Sequence, residues 1–190
     1  GQDIHDATAS SVYDVPVDEV TSDMRRVAKT MNFGVIYGLS AFGISRQTGL
    51  STDHGQRFID AYFGKYPGIG QYIDFIKAKV RDGGYVETLV GRRRYIPEIR
   101  SSNFHVRSSG ERMAINMPIQ GTAADLIKIA MINIHKRMKN EHYKSKMILQ
   151  IHDELLFQLP ENEKDDLIEE IVSEMQRPIP ELDGLVLDEA

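Results

Sequence analysis

The chain has no cysteine, so neither disulfides nor thiolate metal sites can hold it together or carry its chemistry. No apolar run approaches the roughly 20 residues that a membrane-spanning helix needs. No basic leader followed by an apolar stretch opens the sequence. A soluble intracellular protein is the expectation. Internal repeats and low-complexity segments are missing too, which excludes solenoids and arrays. Excess positive charge is also lacking. The formal net charge is −5, which taken alone argues against a nucleic-acid partner.

The charge is unevenly distributed. Of the 28 acidic residues, 13 fall between Asp153 and Ala190, beside only two of the 23 basic ones. The remainder holds 15 acidic against 21 basic residues, so its body is cationic and suits a phosphate backbone. The acidic end reads as a solvated helix face. With 190 residues and 41% hydrophobic content, the chain can build a core for one domain or two intertwined subdomains.

Most of the information lies in fourteen residues, Arg25 to Gly38. On a helix, Arg25, Lys29, Phe33 and Tyr37 follow each other at steps of four. Each step advances about 40° around the axis and about 6 Å along it. Two cations are therefore followed by two aromatic rings on one spiralling ladder. A nucleoside triphosphate has the same order, phosphates at one end and a flat base at the other. About 12 Å separates Arg25 from Phe33, enough for a triphosphate and sugar. Ser22 is placed as N-cap, and Asp23 suits the positive end of the dipole. Gly34 inside a helix costs roughly 1 kcal/mol against alanine, so something must approach the backbone there. Gly38 ends the run. The bland alternative is a solvated basic face with two core aromatics.

The spacing predicts further elements. Residues 1–13 form a helix that breaks at Val15-Pro16. The ladder helix covers 23–37. A loop from Leu39 to Gly43 precedes a short helix at 44–48. The next helix runs from Ser51 or Thr52 to Phe63, and another from the Tyr66-Pro67-Gly68 turn to Gly83-Gly84. Residues 85–89 and 93–96 read as two strands joined through Gly91. A helix at 106–116 ends before Pro118, and a longer one spans 122–139. Strands at 147–151 and 155–159 flank His152-Asp153-Glu154. A helix at 161–176 and a strand at 185–187 close the chain. The fold class is α+β: a mostly helical first part, then packed helices with an antiparallel β-hairpin. The boundary falls near residue 106.

Asp153 and Glu154 lie where that hairpin turns. Tight hairpins favour Asn-Gly or Asp-Gly, so His-Asp-Glu breaks a local rule, as functional sites often do. Adjacent carboxylates at a strand tip can bind a hard cation such as Mg2+, although a plain polar hairpin tip explains them as well.

The Arg25–Gly38 run resembles the fingers helix of family A DNA polymerases of the bacterial polymerase I type. That motif is Arg-x-x-x-Lys-x-x-x-Phe/Tyr-Gly-x-x-Tyr-Gly, matched here at every position. Four further stretches resemble the same family in the same order. They are Asp3 to Ala9, Gly84 to Thr88 with Gly91-Arg92-Arg93, Glu111 to Ala123, and Gln150 to Leu155.

The resemblance implies template-directed DNA synthesis, with dNTPs, primer–template DNA and the remainder of a polymerase chain as partners. It implies a fingers subdomain over 1–106 and the C-terminal part of a palm over 107–190. Asp153 would be a catalytic metal ligand for Mg2+, with Glu154 its acidic neighbour. His5, Arg25 and Lys29 would meet the triphosphate, and Lys29 would also protonate the leaving pyrophosphate. Phe33 would pack on the incoming sugar and base, and Tyr37 near the templating base. Arg112, Asn116, Gln120 and His152 would touch the minor-groove side of the primer–template, where A·T and G·C pairs present similar acceptors. Arg92, Arg93 and Arg94 could meet phosphate, although an exposed hairpin tip explains them as well. The family's two-metal site needs a second aspartate, from a strand that precedes Asp3-Ile4-His5 in the pattern. The chain is therefore expected to be a fragment, inactive on its own. A non-catalytic nucleic-acid-binding module and a single-subunit RNA polymerase fragment are the alternatives.

Overall fold

The computed structural model describes residues 3–179. The expected strand at 185–187 lies outside them. Contacts divide the chain into two compact units. One comprises residues 1–87 and 93–118, the other 88–92 and 119–190.

The first unit begins with α1 (Ile4–Tyr13), capped by the Asp3 side chain, which accepts from the His5 and Asp6 N–H groups. The ladder helix α2 spans Ser22–Ile36. Its N-cap is Thr21, not Ser22: the Thr21 hydroxyl accepts from the Met24 N–H at 3.3 Å. The helix ends as Gly38 requires. Gly38 has φ 74°, its N–H bonds the Val35 carbonyl, and the Leu39 N–H bonds the Gly34 carbonyl at 2.8 Å. Those crossed bonds form a Schellman stop. They also turn Leu39 back over the helix. A Cβ on Gly34 would lie 3.0 Å from Leu39 Cδ1, so the close approach foreseen at Gly34 is the chain's own leucine.

Three more helices follow: α3 (Ala41–Thr48), α4 (Thr52–Lys65) and α5 (Pro67–Gly83). Ser40 caps α3, so that helix starts three residues before the expected Ile44 and the loop is correspondingly shorter. Met31, Val35, Ile44 and Tyr62 form one buried cluster that locks α2 to α3 and α4. Beyond α5, β1 (Tyr85–Glu87) pairs antiparallel with β2 (Arg93–Tyr95). Val86, Ile96 and Ile99 join Ile73, Ile76 and Val80 in a second core with Ala114, Ile115 and Met117.

Pro118 does not stop a helix. The two helices expected at 106–116 and 122–139 are one element, α6 (Phe104–Asn140). An internal proline costs about 3 kcal/mol. Burial outweighs it here: Ala114, Ile115 and Met117 on one side of the proline, and Leu126, Ala130, Ile134 and Met138 on the other, are sealed from solvent.

The second unit holds the C-terminal part of α6, β3 (Lys146–Ile151), β4 (Glu154–Gln158) and α7 (Lys164–Gln176). A 3-10 turn over Glu161–Glu163 replaces the expected first turn of α7. Leu155, Phe157 and Met147 cover Ala130, Ile134, Met138 and Leu167. Residues 88–92 are fastened to α6 by buried Asp125, which accepts from the Thr88 hydroxyl at 2.9 Å and from Arg92 Nε at 2.6 Å. No helix among the described residues is long and apolar enough to cross a membrane.

Candidate functional site

The ladder forms as its spacing predicts. The Phe33 and Tyr37 rings stack with centroids 5.9 Å apart and 27° between planes. The His5 ring from α1 meets Phe33 at 5.7 Å, tilted by 44°. Phe33 keeps 40% of its surface exposed although apolar. His5, Phe33 and Tyr37 thus make a continuous row of rings on the first unit.

The two cations differ. Arg25 Nη2 lies 2.6 Å from Asp3 Oδ2, and its Nε lies 3.2 Å from Asp6 Oδ1. The guanidinium therefore ties α2 to α1. Lys29 is exposed and makes no ion pair or hydrogen bond among the described residues. Its ammonium is available to an anion, whereas Arg25 already holds two carboxylates.

The Arg25 guanidinium, helped by backbone N–H bonds from Asp6 and His5, holds the Asp3 carboxyl at about 2 against an ordinary 3.8. A carboxyl depressed on folding stabilises above its ordinary value, and that contribution is lost as pH falls toward 2. Asp3→Asn keeps a competent N-cap but removes the charge. It should lower the melting temperature at about pH 5, with the difference from wild type shrinking by about pH 2. Thermal unfolding at both pH values checks this. A difference independent of pH would show that the tie is not ionic.

An open cavity of about 550 Å³ lies along α2 within the first unit. Lys29, Phe33 and Tyr37 line it together with Arg112 and Asn116 from α6. Gly38 permits this meeting: a Cβ there would lie 3.2 Å from Ile115 Cδ1 and 3.6 Å from Arg112 Cγ. Asn116 Oδ1 is buried without a hydrogen-bond partner among the described residues, an acceptor left open at the cavity. Arg112 Nη1 donates to Ser108 Oγ at 2.9 Å.

Spacing on α2 leaves several further cavity residues unmarked, among them Arg26, Thr30 and Gln47. Arg26 lines the wall where Arg25 turns away, and Gln47 reaches it from α3. No signal in the ladder motif marks Gln47, which arrives through the Gly38–Leu39 turn.

The remaining candidates belong to the second unit. Gln120 is exposed on α6. His152 and Asp153 form a two-residue turn between Ile151 and Glu154, which face each other as the last ladder pair. Glu154 is therefore the first residue of β4 rather than part of the turn. His152 has φ 54°, a left-handed conformation that a non-glycine adopts at a cost of about 1–2 kcal/mol. Gln150 Nε2 donates to the His152 carbonyl at 2.9 Å and steadies the turn.

Asp153 and Glu154 are exposed and have no cationic partner among the described residues. Two unneutralised carboxylates suit Mg2+, which takes one or two carboxylates and completes its shell with water and phosphate. No cluster of three or more His, Asp or Glu able to hold a metal ion occurs among the described residues. The three hairpin arginines all have partners: Arg92 on Asp125, Arg93 on Glu87 at 2.9 Å, and Arg94, which donates to Met113 Sδ at 3.4 Å.

The sequence matches the model of DNA polymerase family A over residues 1–183. The DNA polymerase I of Streptococcus pneumoniae is 45% identical over 190 residues, all of this chain and 22% of the relative. That of Mycobacterium tuberculosis is 46% identical over 165 residues, 87% of this chain and 18% of the relative. Among solved structures, the polymerase domain of Pol1 from M. smegmatis, in complex with DNA primer–template and dNTP, superposes with a TM-score of 0.84. It is 43% identical, over 95% of this chain and 32% of that one. The chain spans about a fifth of the length of these curated relatives. A match running from residue 1 to residue 183, across the helix that bears the ring ladder, makes this chain a member of DNA polymerase family A.

Proposed function

We propose that this chain supplies the nucleotide-binding fingers and part of the palm of a template-directed DNA polymerase. The reaction joins a primer 3′-hydroxyl to the α-phosphate of a dNTP and releases pyrophosphate. The observation that carries this reading is the α2 ladder, with an unpaired Lys29 one turn from the stacked Phe33–Tyr37 pair. The Pol1 domain of M. smegmatis, solved with primer–template and dNTP, supports the choice of substrates. Fingers over 1–106 and palm over 107–190 belong to the same proposal, as do a bacterial cytoplasmic location at the nucleoid and the remainder of a polymerase chain as partner.

The chemistry follows from charge. Lys29, with Arg25 once Asp3 and Asp6 release it, neutralises the phosphates. His5 donates to them. Lys29 would also protonate the departing pyrophosphate. Phe33 packs on the sugar and base, and Tyr37 closes the stack beside the template. Arg112, Asn116, Gln120 and His152 follow the minor groove of the primer–template, where donors can test pair geometry without reading sequence. Asp153, with Glu154 beside it, would hold Mg2+, which supplies acidification of the 3′-hydroxyl and charge neutralisation on the transferring phosphate.

A chimera tests the reading: this chain replaces the matching segment of the streptococcal relative. Primer extension directed by the template is expected. A folded chimera that binds primer–template but adds no nucleotide would refute it.

Phe33 carries a prediction about sugar choice. A tyrosine hydroxyl at this rung could replace the polar contact of the 3′-hydroxyl, and phenylalanine offers none. An unmade polar contact in a dry site costs about 1–3 kcal/mol, or roughly fivefold to more than a hundredfold. The chimera should reject dideoxynucleotides by that factor, and Phe33→Tyr should largely abolish the rejection. The readout is the ratio of deoxy to dideoxy incorporation efficiency. An unchanged ratio would place Phe33 away from the sugar.

A further inference from the structure

Asn32 is a buried polar side chain on α2, 3% exposed between Met31 and Phe33. Leucine is a better helix former of similar size, and a buried amide is costly unless hydrogen-bonded. Its bonds all run to α1. Asn32 Nδ2 lies 3.1 Å from His5 Nδ1. The Thr8 hydroxyl lies 3.1 Å from Asn32 Oδ1, to which it donates, and 3.0 Å from Nδ2. His5 and Thr8 are three residues apart on α1 and so share the face that meets α2.

An amide nitrogen only donates, so His5 Nδ1 must accept. A neutral imidazole whose Nδ1 accepts carries its hydrogen on Nε2. Packing on Phe33 fixes the ring from a second direction. We infer that Asn32, oriented by Thr8, is a positioning residue that holds His5 as an Nε2–H donor toward the anionic end of a bound nucleotide. The tie between Asn32 and His5 stands on geometry alone, and only the identity of the ligand rests on the proposed function. With the opposite tautomer, a lone pair on Nε2 would face the phosphate oxygens and repel them.

The test is 15N NMR of the imidazole rings in the 190-residue chain at about pH 8, where an ordinary histidine is neutral. His5→Gln assigns the signal among the six histidines. The wild type should show a protonated Nε2, and Asn32→Leu a mixture of tautomers. Thr8→Val keeps the side-chain shape and should shift the ratio in the same direction, which covers the case that Asn32→Leu does not fold. Titration with dATP should move the Nε2–H resonance, with affinity about threefold to tenfold weaker in Asn32→Leu. A wild-type ring protonated on Nδ1, or a tautomer unchanged in both variants, overturns the inference. An Nε2–H ring that ignores dATP upholds the Asn32–His5 tie and overturns the nucleotide reading of the ladder instead.

Discussion

Asp153→Ala should lower primer extension by the chimera at least about a thousandfold, while primer–template affinity stays within about twofold. A metal ion at a transferring phosphate contributes several kcal/mol of charge stabilisation, and each 1.36 kcal/mol is tenfold in rate. Asp153 has what such a ligand needs. It sits at a two-residue turn held by a left-handed His152 and a Gln150 side-chain bond, and no cation among the described residues neutralises it. DNA binding draws on many phosphate contacts, so losing one carboxylate should barely move it. Glu154 lies one position further, inside β4, and Glu154→Gln should cost much less. Single-turnover extension and an equilibrium DNA-binding assay check both variants. Near-normal extension by Asp153→Ala would remove the carboxylate from the reaction.

Lys29→Ala should reduce nucleotide incorporation efficiency by about a hundredfold or more, and Arg25→Ala by about tenfold. Losing one hydrogen bond to a charged group costs about 1.5–3 kcal/mol, and losing a positioned proton donor adds to that. The two differ because of their partners. Lys29 has no partner among the described residues, so the whole interaction with phosphate is gained on binding. Arg25 gives up Asp3 and Asp6 for the same phosphates, and the exchange cancels part of the gain. Single-turnover kinetics at varied dNTP, with DNA affinity as control, decide it. Normal nucleotide affinity and rate in both variants would contradict the ladder.

The ladder was legible because it is local. Three of its rungs lie on one helix and Tyr37 is that helix's C-cap, so a period of 3.6 places them without knowledge of the rest of the fold. The Gly38 stop and the turn at Pro67 were legible for the same reason. What escaped depends on residues far apart in sequence. Arg25 is tied to Asp3 across 22 positions, and Asn32 to His5 across 27. No periodicity encodes either pair. Pro118 departs from the local rule because burial on both sides of the proline decides the outcome. The Thr21 cap illustrates a smaller ambiguity: Thr21 and Ser22 are both competent, and the hydroxyl that reaches the Met24 N–H wins. At the β3–β4 turn the broken rule was visible in sequence. That His152 takes the left-handed conformation, leaving Glu154 in the strand, follows only from the pairing of Ile151 with Glu154.

The polarity of the ladder is the central claim, and paramagnetic broadening tests it most directly. Two spin-labelled dATP analogues, one labelled at the γ-phosphate and one at the base, are added in turn to the 15N-labelled chain. The γ-label should broaden Arg25 and Lys29 most, and the base label Tyr37, with Phe33 affected by both. Equal broadening by the two labels, the reverse order, or effects confined to residues off α2 would contradict it.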